Sequence, residues 1–375
     1  MIKINKVDKN TKARLGVLST EHGNIQTPFF MPVGTNGTVK SVLFEDMLGF
    51  DTQIMLSNTY HLFLRPGMDV IENAGGLHKF INWEKPILTD SGGYQVFSLS
   101  KLRKISEEGV EFRSHLDGSL CFFSPEEVMR IEGIIGSDMI MPLDVCAPYP
   151  CERKEAEESV ERTTQWAKRS KEYFKKNKTD EKKQFLFGIV QGSTFEDLRK
   201  RSAEELLEIG FDGYAIGGVS VGEPVVEMFK ALDRVVPHLP EDKPRYFMGI
   251  GLPDQIVKAV GDGIDMFDTC IPTRYGRHGT ALTSTGKFVV RNAANAKNLG
   301  PLDENCDCRV CQKYSRSYIR HLLNVGEILG LHMVSYHNVY FYVNLMRRIR
   351  EAIAVDKYKE FQKNFFDLYG SELKA

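Results

Sequence analysis

The chain has 375 residues, 42% of them hydrophobic, and a formal net charge of -1 at neutral pH. That length exceeds an average domain and suits one large α/β barrel of about 250 residues with an appendage, while the near-zero charge excludes a generally basic nucleic-acid-binding surface, so any RNA site must be a local patch. No apolar run reaches the length of a membrane span, the leading M-I-K-I-N-K-V-D-K-N lacks a signal-peptide core, and the seven cysteines are too uneven for a disulfide framework, so a reduced, cytoplasmic protein without membrane contact is expected.

Residues 1–24 alternate weakly and turn at Glu21-His22-Gly23-Asn24, a pattern for a β-hairpin ahead of the main fold. Over 25–290 eight apolar runs follow, at 29–33, 53–56, 87–89, 139–143, 185–190, 213–216, 246–250 and 264–267. Amphipathic segments separate them: one opens with the capping pattern Ser124-Pro125-Glu126-Glu127, and others span 152–176, 195–209, 224–236 and 254–260. Strand and helix in strict alternation imply parallel strands, and eight of them predict an irregular (β/α)8 TIM barrel, an α/β fold. Residues 98–123 interrupt the alternation with a polar period of two around Asp117-Gly118, which predicts a β-ribbon inserted over the barrel mouth. Residues 291–375 differ again, with a cysteine cluster and long helical patterns, and predict an appended metal-binding subdomain with terminal helices.

Polar residues and glycines gather at the carboxyl end of each run: Asp90 with Ser91-Gly92-Gly93, Asp144, Gln191-Gly192, Gly217-Gly218, Gly249-Ile250-Gly251 and Asp268. In a parallel barrel these ends converge on one mouth, so carboxylates remote in sequence become neighbours. Taken singly, each Asp also fits a helix cap and each glycine a turn; three Asp and a Gln in one register point to a pocket. The stretch F-D-T-C-I-P-T-R-Y-G-R from Phe267 to Arg277 is the most pointed. Asp268 ends a buried run, half desolvated and suited to act as nucleophile or base, Pro272 is expected to turn the chain out into a loop, and Arg274 and Arg277 are spaced to meet phosphate.

Cys306, Cys308 and Cys311 form C-x-C-x-x-C, a spacing that brings three thiolates to one point as a tetrahedral zinc ion requires. His321, His332 and His337 follow, any of which supplies the usual fourth ligand; four protein ligands leave no open position, so the zinc is expected to be structural.

The motifs D-S-G-G-Y-Q-V-F from Asp90, D-V-C-A-P-Y-P from Asp144, G-I-V-Q-G-S from Gly188, I-G-G-V-S-V-G-E from Ile216, P-T-R-Y-G-R from Pro272, and the cysteine cluster followed by His337-Asn338 together resemble the bacterial tRNA-guanine transglycosylases through nearly the whole chain. The resemblance implies a barrel with a zinc subdomain near its end, and His337 as the fourth ligand. It implies Asp268 as the nucleophile that attacks the ribose anomeric carbon, and Asp90 as general acid to the departing guanine and base to the incoming one. Two displacements through a covalent intermediate follow, the logic of a retaining glycosidase. It further places Ser91, Tyr94, Asp144, Cys146, Gln191, Gly218, Val219 and Met248 around the base, with Tyr94 and Met248 sandwiching it. Arg274 and Arg277, with Arg347, Arg348 and Arg350, are expected at phosphates.

The partners so implied are a tRNA with a G-U-N anticodon (Asp, Asn, His, Tyr), whose target guanine must be swung out of its stack, a deazaguanine base, and a second copy of the chain in a homodimer. For the inserted base, Cys146 and Val221 resemble the bacterial pattern that takes 7-aminomethyl-7-deazaguanine in queuosine biosynthesis. Val145, where many bacterial members have Glu, and Val219-Ser220 depart from it and keep queuine as the alternative. The carboxylate pair alone also fits a hydrolase or another glycosyl-transferring barrel, which a requirement for tRNA would separate. A non-catalytic RNA-binding subunit is the remaining rival, against which both Asp90 and Asp268 stand.

Overall fold

A computed structural model of the chain describes residues 2–99, 103–177, 183–371 and 373. Eight parallel strands close into a barrel in sequence order: β1 (Phe29–Gly34), β2 (Met55–Asn58), β3 (Ile87–Asp90), β4 (Met139–Ile140), β5 (Phe185–Val190), β6 (Gly213–Ile216), β7 (Arg245–Phe247) and β8 (Met266–Thr269). β8 pairs with β1, and β3 with the two-residue β4, so no edge is left. Each of the eight apolar runs overlaps one of these strands, because a strand covered on both faces reads as a continuous apolar stretch.

Alternation within the strands sorts their side chains. Phe29, Met31, Leu56, Leu88, Met139, Phe187, Ile189, Ala215, Tyr246 and Met266 fill the barrel, while Phe30, Met55, Ile87, Ile140, Leu186, Tyr214, Phe247 and Phe267 face the helices. Where the sequence predicts an amino-terminal hairpin, three antiparallel strands form, Ile2–Val7, Arg14–Thr20 and Gly23–Thr27. Their Ile2, Leu18 and Ile25 join the interior cluster, so this sheet plugs the end of the barrel opposite the mouth. Arg14 locks it there through a buried pair with Asp265, just before β8.

The helix Pro125–Ile135 starts as its sequence predicts, with the Ser124 hydroxyl accepting from the Glu127 N–H. Arg153–Asn177, Glu196–Ile209, Val225–Val235 and Pro253–Gly261 match the other four amphipathic segments. The insertion contains a three-stranded antiparallel sheet, Arg103–Ile105, Val110–Arg113 and Leu120–Phe123, with Gly118 at positive φ in its second turn; residues 100–102 of the predicted ribbon lie outside the described residues.

Pro272 does not lead into a loop. It sits in the first turn of a short helix, Ile271–Arg277, where a residue without an N–H loses nothing. That helix packs on the 27-residue helix Ile328–Ala354, closest at Gly276, where a β-carbon would lie 2.4 Å from the Ser335 hydroxyl and 2.6 Å from its Cα. The Asn338 amide ties the corner, accepting from the Leu282 N–H and donating to the Pro272 and Thr280 carbonyls. The long helix also packs on β1 and so closes the barrel wall where the chain began it. Its far end lies beside the amino end of β1, away from the mouth. There Arg350 is half-buried and donates to the Pro28 carbonyl, Arg348 lies over the Phe361 ring, and Arg347 bonds Asn344. Arg347 and Arg348 are exposed on this helix. Among the described residues no helix is long and apolar enough to cross a membrane.

Candidate active site

The mouth collects residues from seven strand ends. Asp90 closes β3 and Asp268 lies in β8, two strands apart around the wall through β1 and β2. The Tyr246 hydroxyl, rising from the interior of β7, donates to Asp268 Oδ1 at 2.7 Å, and the Gly249 N–H donates to the same oxygen at 2.8 Å. Both donors converge on one oxygen, Oδ1. Burial nevertheless holds the Asp268 pKa above the ordinary carboxylate value, with the two donors opposing it.

Asp90 is held differently. Oδ2 accepts from the Asn58 amide at 2.5 Å and from Gln95 at 3.3 Å; Oδ1 accepts from the Thr59 and Gly92 N–H groups, each at 3.2 Å. Desolvation outweighs these donors and, with the Asp268 charge nearby, pushes its pKa up to about 7. A carboxyl group poised there can give a proton and take one back at neutral pH.

Beneath Asp90 lies a carboxyl group that the sequence did not single out. Glu132 is fully buried; Thr59 Oγ1 is 3.1 Å from its Oε1, its Oε2 bonds the Thr89 hydroxyl, and the chain continues to Ser137 at 2.5 Å. Burial raises its pKa well above the usual range, with the two threonine hydroxyls opposing it.

The third carboxylate opens a second subsite. Asp144, four residues beyond β4, accepts from the Ser91 hydroxyl at 3.2 Å and from the Gln191 amide at 2.8 Å, and burial pushes its pKa up to about 6. With its nitrogen so committed, Gln191 is left with a buried Oε1 that has no hydrogen-bond partner. An orphaned buried acceptor beside a carboxylate fits a ligand that brings N–H donors. Gly218, at φ +63, borders this space; a β-carbon there would stand 2.3 Å from Gln191 Oε1, so only glycine leaves the backbone accessible. Arg199, fully buried, binds the loops behind it.

Met248 follows β7, half-buried over the barrel interior, and the helix-borne Tyr94 ring is 53% exposed, an open aromatic face for stacking. Tyr94, Val145, Cys146 and Val221 line a chamber of about 410 Å³ with Phe97, Ile105 and Arg162. The half-buried Cys146 thiol has its pKa pushed up to about 12 by desolvation and the neighbouring Asp144, which disfavours the thiolate. Val219 is buried next to Gly218. Arg274 is exposed on the short helix after β8, and Arg277 bonds back to the Thr273 carbonyl. Of the residues around Asp90 and Asp268, the sequence missed Asn58, Thr59, Gln95, Glu132 and Tyr246. Tyr246 alone carried a signal, a tyrosine at a filled interior position that must place its hydroxyl somewhere polar.

Away from the mouth, the donor atoms of Cys306, Cys308, Cys311 and His337 lie within 4.8 Å of one another. His337 Nδ1 is 3.6, 3.6 and 3.3 Å from the three sulfurs, the edge lengths of a tetrahedron whose centre is about 2.0–2.3 Å from each donor. His337 Nε2 meets the Leu282 carbonyl at 2.7 Å, which places the ring proton there and turns the Nδ1 lone pair toward the sulfurs. Cys308 caps the helix Arg309–Lys313 and accepts from the Cys311 N–H, which favours its thiolate. The residues fit a metal ion, and of the three candidate histidines only His337 joins the cluster. His332 bonds the Ser41 carbonyl instead.

The chain is similar to known proteins over nearly its whole length. A family profile described as queuine tRNA-ribosyltransferase matches residues 8–371. The chain is 54% identical over 370 residues to a protein of Desulforamulus reducens, covering 99% of each. It is 55% identical over 365 residues to one of Thermoanaerobacter pseudethanolicus, covering 97% of this chain and 96% of that one, and 54% identical over 365 residues to one of Shouchella clausii, covering 97% and 95%. All three carry the name queuine tRNA-ribosyltransferase.

Proposed function

Since the chain belongs to the queuine tRNA-ribosyltransferase family, and is thereby a pentosyltransferase, we propose that it exchanges the wobble guanine of G-U-N anticodon tRNAs for 7-aminomethyl-7-deazaguanine. Asp268 attacks the ribose anomeric carbon, the glycosidic C–N bond breaks, and guanine leaves with a proton from Asp90. The ribose is then held as an ester of Asp268. Asp90, now a carboxylate, takes the proton of the incoming base, whose nitrogen displaces Asp268 and restores the starting configuration at the sugar. The observation that carries this reading is the unlike pair at one mouth: a carboxylate whose two donors share one oxygen, and a carboxyl group poised at about 7.

In the adjoining subsite Asp144 and the orphaned Gln191 oxygen accept from the purine N–H groups, and the Gly218 N–H meets its carbonyl oxygen. Tyr94 and Met248 cover its two faces, with Ser91, Cys146 and Val219 around it. Arg274 and Arg277 hold the flanking phosphates. Zinc at Cys306, Cys308, Cys311 and His337 would cross-link the segment to the long helix and supply no chemistry at the mouth. The enzyme works in the cytoplasm as a homodimer.

The chamber beside Cys146 and Val221 favours a second reading for the inserted base. About 410 Å³ gives room for a substituent bulkier than an aminomethyl group, and Val145 contributes an apolar wall rather than a charge. Exchange of labelled guanine, 7-aminomethyl-7-deazaguanine and queuine into unmodified G-U-N tRNA, with Asp268→Asn beside the native enzyme, tests both. Label is expected only with intact Asp268, and the ranking of the two deazaguanines decides the base. Incorporation by Asp268→Asn at the native rate would remove Asp268 from its role.

A further inference from the structure

Arg199 is the one fully buried arginine of the helix Glu196–Ile209, and among the described residues it forms no ion pair with a carboxylate. All of its hydrogen bonds go to backbone carbonyls. Nε donates to Ser193 at 2.7 Å, Nη1 to Gly217 at 2.6 Å and Val190 at 3.3 Å, and Nη2 to Gly218 at 3.0 Å. The Val190 carbonyl ends β5, and the others belong to the loops after β5 and β6, the two that carry Gln191 and Gly218. A buried, unpaired guanidinium is costly, and a core of this size could fill the space with an apolar side chain, so the carbonyl pattern calls for another reason.

Peptide geometry supplies one. In a trans peptide the C=O of one residue and the N–H of the next point in opposite directions. Holding the Gly217 oxygen on the Arg199 side turns the Gly218 N–H away from Arg199, and holding the Gly218 oxygen does the same for Val219. On that opposite side is Cys146, toward whose sulfur the Gly218 N–H is directed. Gly218 is at φ +63 and has no β-carbon to restrict rotation of these peptides, so the loop needs an external anchor.

We propose that Arg199 is a positioning residue for base recognition: by gripping the Gly217 and Gly218 carbonyls it aims the Gly218 and Val219 N–H groups into the base subsite as a fixed pair of donors for a purine carbonyl oxygen. The inference rests on the mouth being a purine site. It predicts that Arg199 governs discrimination for the 6-oxo group without touching the base. Lysine at this position keeps the charge but cannot span carbonyls in two loops, and methionine keeps neither.

The test compares native enzyme, Arg199→Lys and Arg199→Met. Inhibition of guanine exchange is measured with guanine analogues that keep or lack the 6-oxo group, 7-deazaguanine and 2-aminopurine. Covalent tRNA capture counts active enzyme in each preparation. The ratio of the two inhibition constants is expected to fall at least tenfold in Arg199→Met and less in Arg199→Lys, with KM for the base raised and KM for tRNA within twofold. Such a ratio is indifferent to how much enzyme is folded, so a merely structural arginine would leave it unchanged, and an unchanged ratio in folded Arg199→Met or Arg199→Lys overturns the proposal. Absence of guanine exchange in the native enzyme would instead refute the purine reading on which it stands.

Discussion

Replacing Asp90 by Asn should separate stability from activity in a pH-dependent way. In the folded chain the Asp90 pKa stands at about 7, against the ordinary 3.8 that it regains on unfolding. The folded state therefore holds a proton that the unfolded state has lost between those two values. Stability from this group is fully present below pH ~3.8 and is lost as pH rises through about 7. At ~1.36 kcal/mol per unit, the native enzyme forfeits about 2–3 kcal/mol between pH ~5 and pH ~8, and residual water at this half-buried site trims that toward about 2 kcal/mol. Asn does not titrate. Whatever fixed cost it incurs in its contacts with Asn58 and Gln95, its stability relative to native should improve by that amount across the same range. Urea unfolding of zinc-loaded native and Asp90→Asn proteins at the two pH values, in one buffer system, measures the difference directly. Base exchange by the variant should be absent at both. A stability difference that stays constant with pH would refute the argument, because it would mean that Asp90 ionises in the fold as easily as in the open chain.

Tyr246→Phe removes one of the two donors on Asp268 and leaves the Gly249 N–H. The exchange rate should fall roughly tenfold, the effect of one charge-assisted hydrogen bond, and its acid limb should move to higher pH because the carboxylate has lost a stabilising donor; both are read from kcat against pH. Glu132→Gln should leave the melting temperature and exchange nearly unchanged, since an amide of the same size can meet both the Thr59 and Thr89 hydroxyls. Glu132→Ala, which strands the Thr59 and Thr89 hydroxyls beside a cavity, should cost about 2–4 kcal/mol by denaturant unfolding. Cys308→Ser, or chelation under mild denaturing stress, should lower bound zinc and folding or dimer stability by several kcal/mol while the folded fraction still captures tRNA; a folded, dimeric variant that has lost capture would contradict a structural metal.

The eight strands and the helices between them were legible because a parallel strand buried on both faces must be apolar throughout, and a helix on a barrel must be apolar on one side. The mouth followed from the same register: Asp90, Asp144, Gln191, Gly218 and Asp268 each stand just at or beyond a strand end, and closure of the barrel does the rest. C-x-C-x-x-C likewise declares a metal site by its spacing, and the choice among three histidines awaited either the family motif or the fold that turns His337 Nδ1 toward the sulfurs.

Other features depend on which way a residue faces once helices and strands have packed. Pro272 is compatible with a loop or with a first helical turn, and only the long helix packed at Gly276 selects the second. Arg350 and Arg274 are both arginines in basic company, yet one is turned under the barrel to the Pro28 carbonyl and the other is exposed after β8. Arg199 stands in the run Arg199-Lys200-Arg201, where composition sees only charge; the helix rotates it alone toward the loops after β5 and β6. Local pattern thus determined what the chain must bury and where its strands end, because burial and periodicity act over a few residues. Tertiary structure decided which polar groups meet across the barrel, because the partners of Asp268, Asp90 and Gly218 come from elements far apart in the chain, and hydrogen bonds between them exist only after closure.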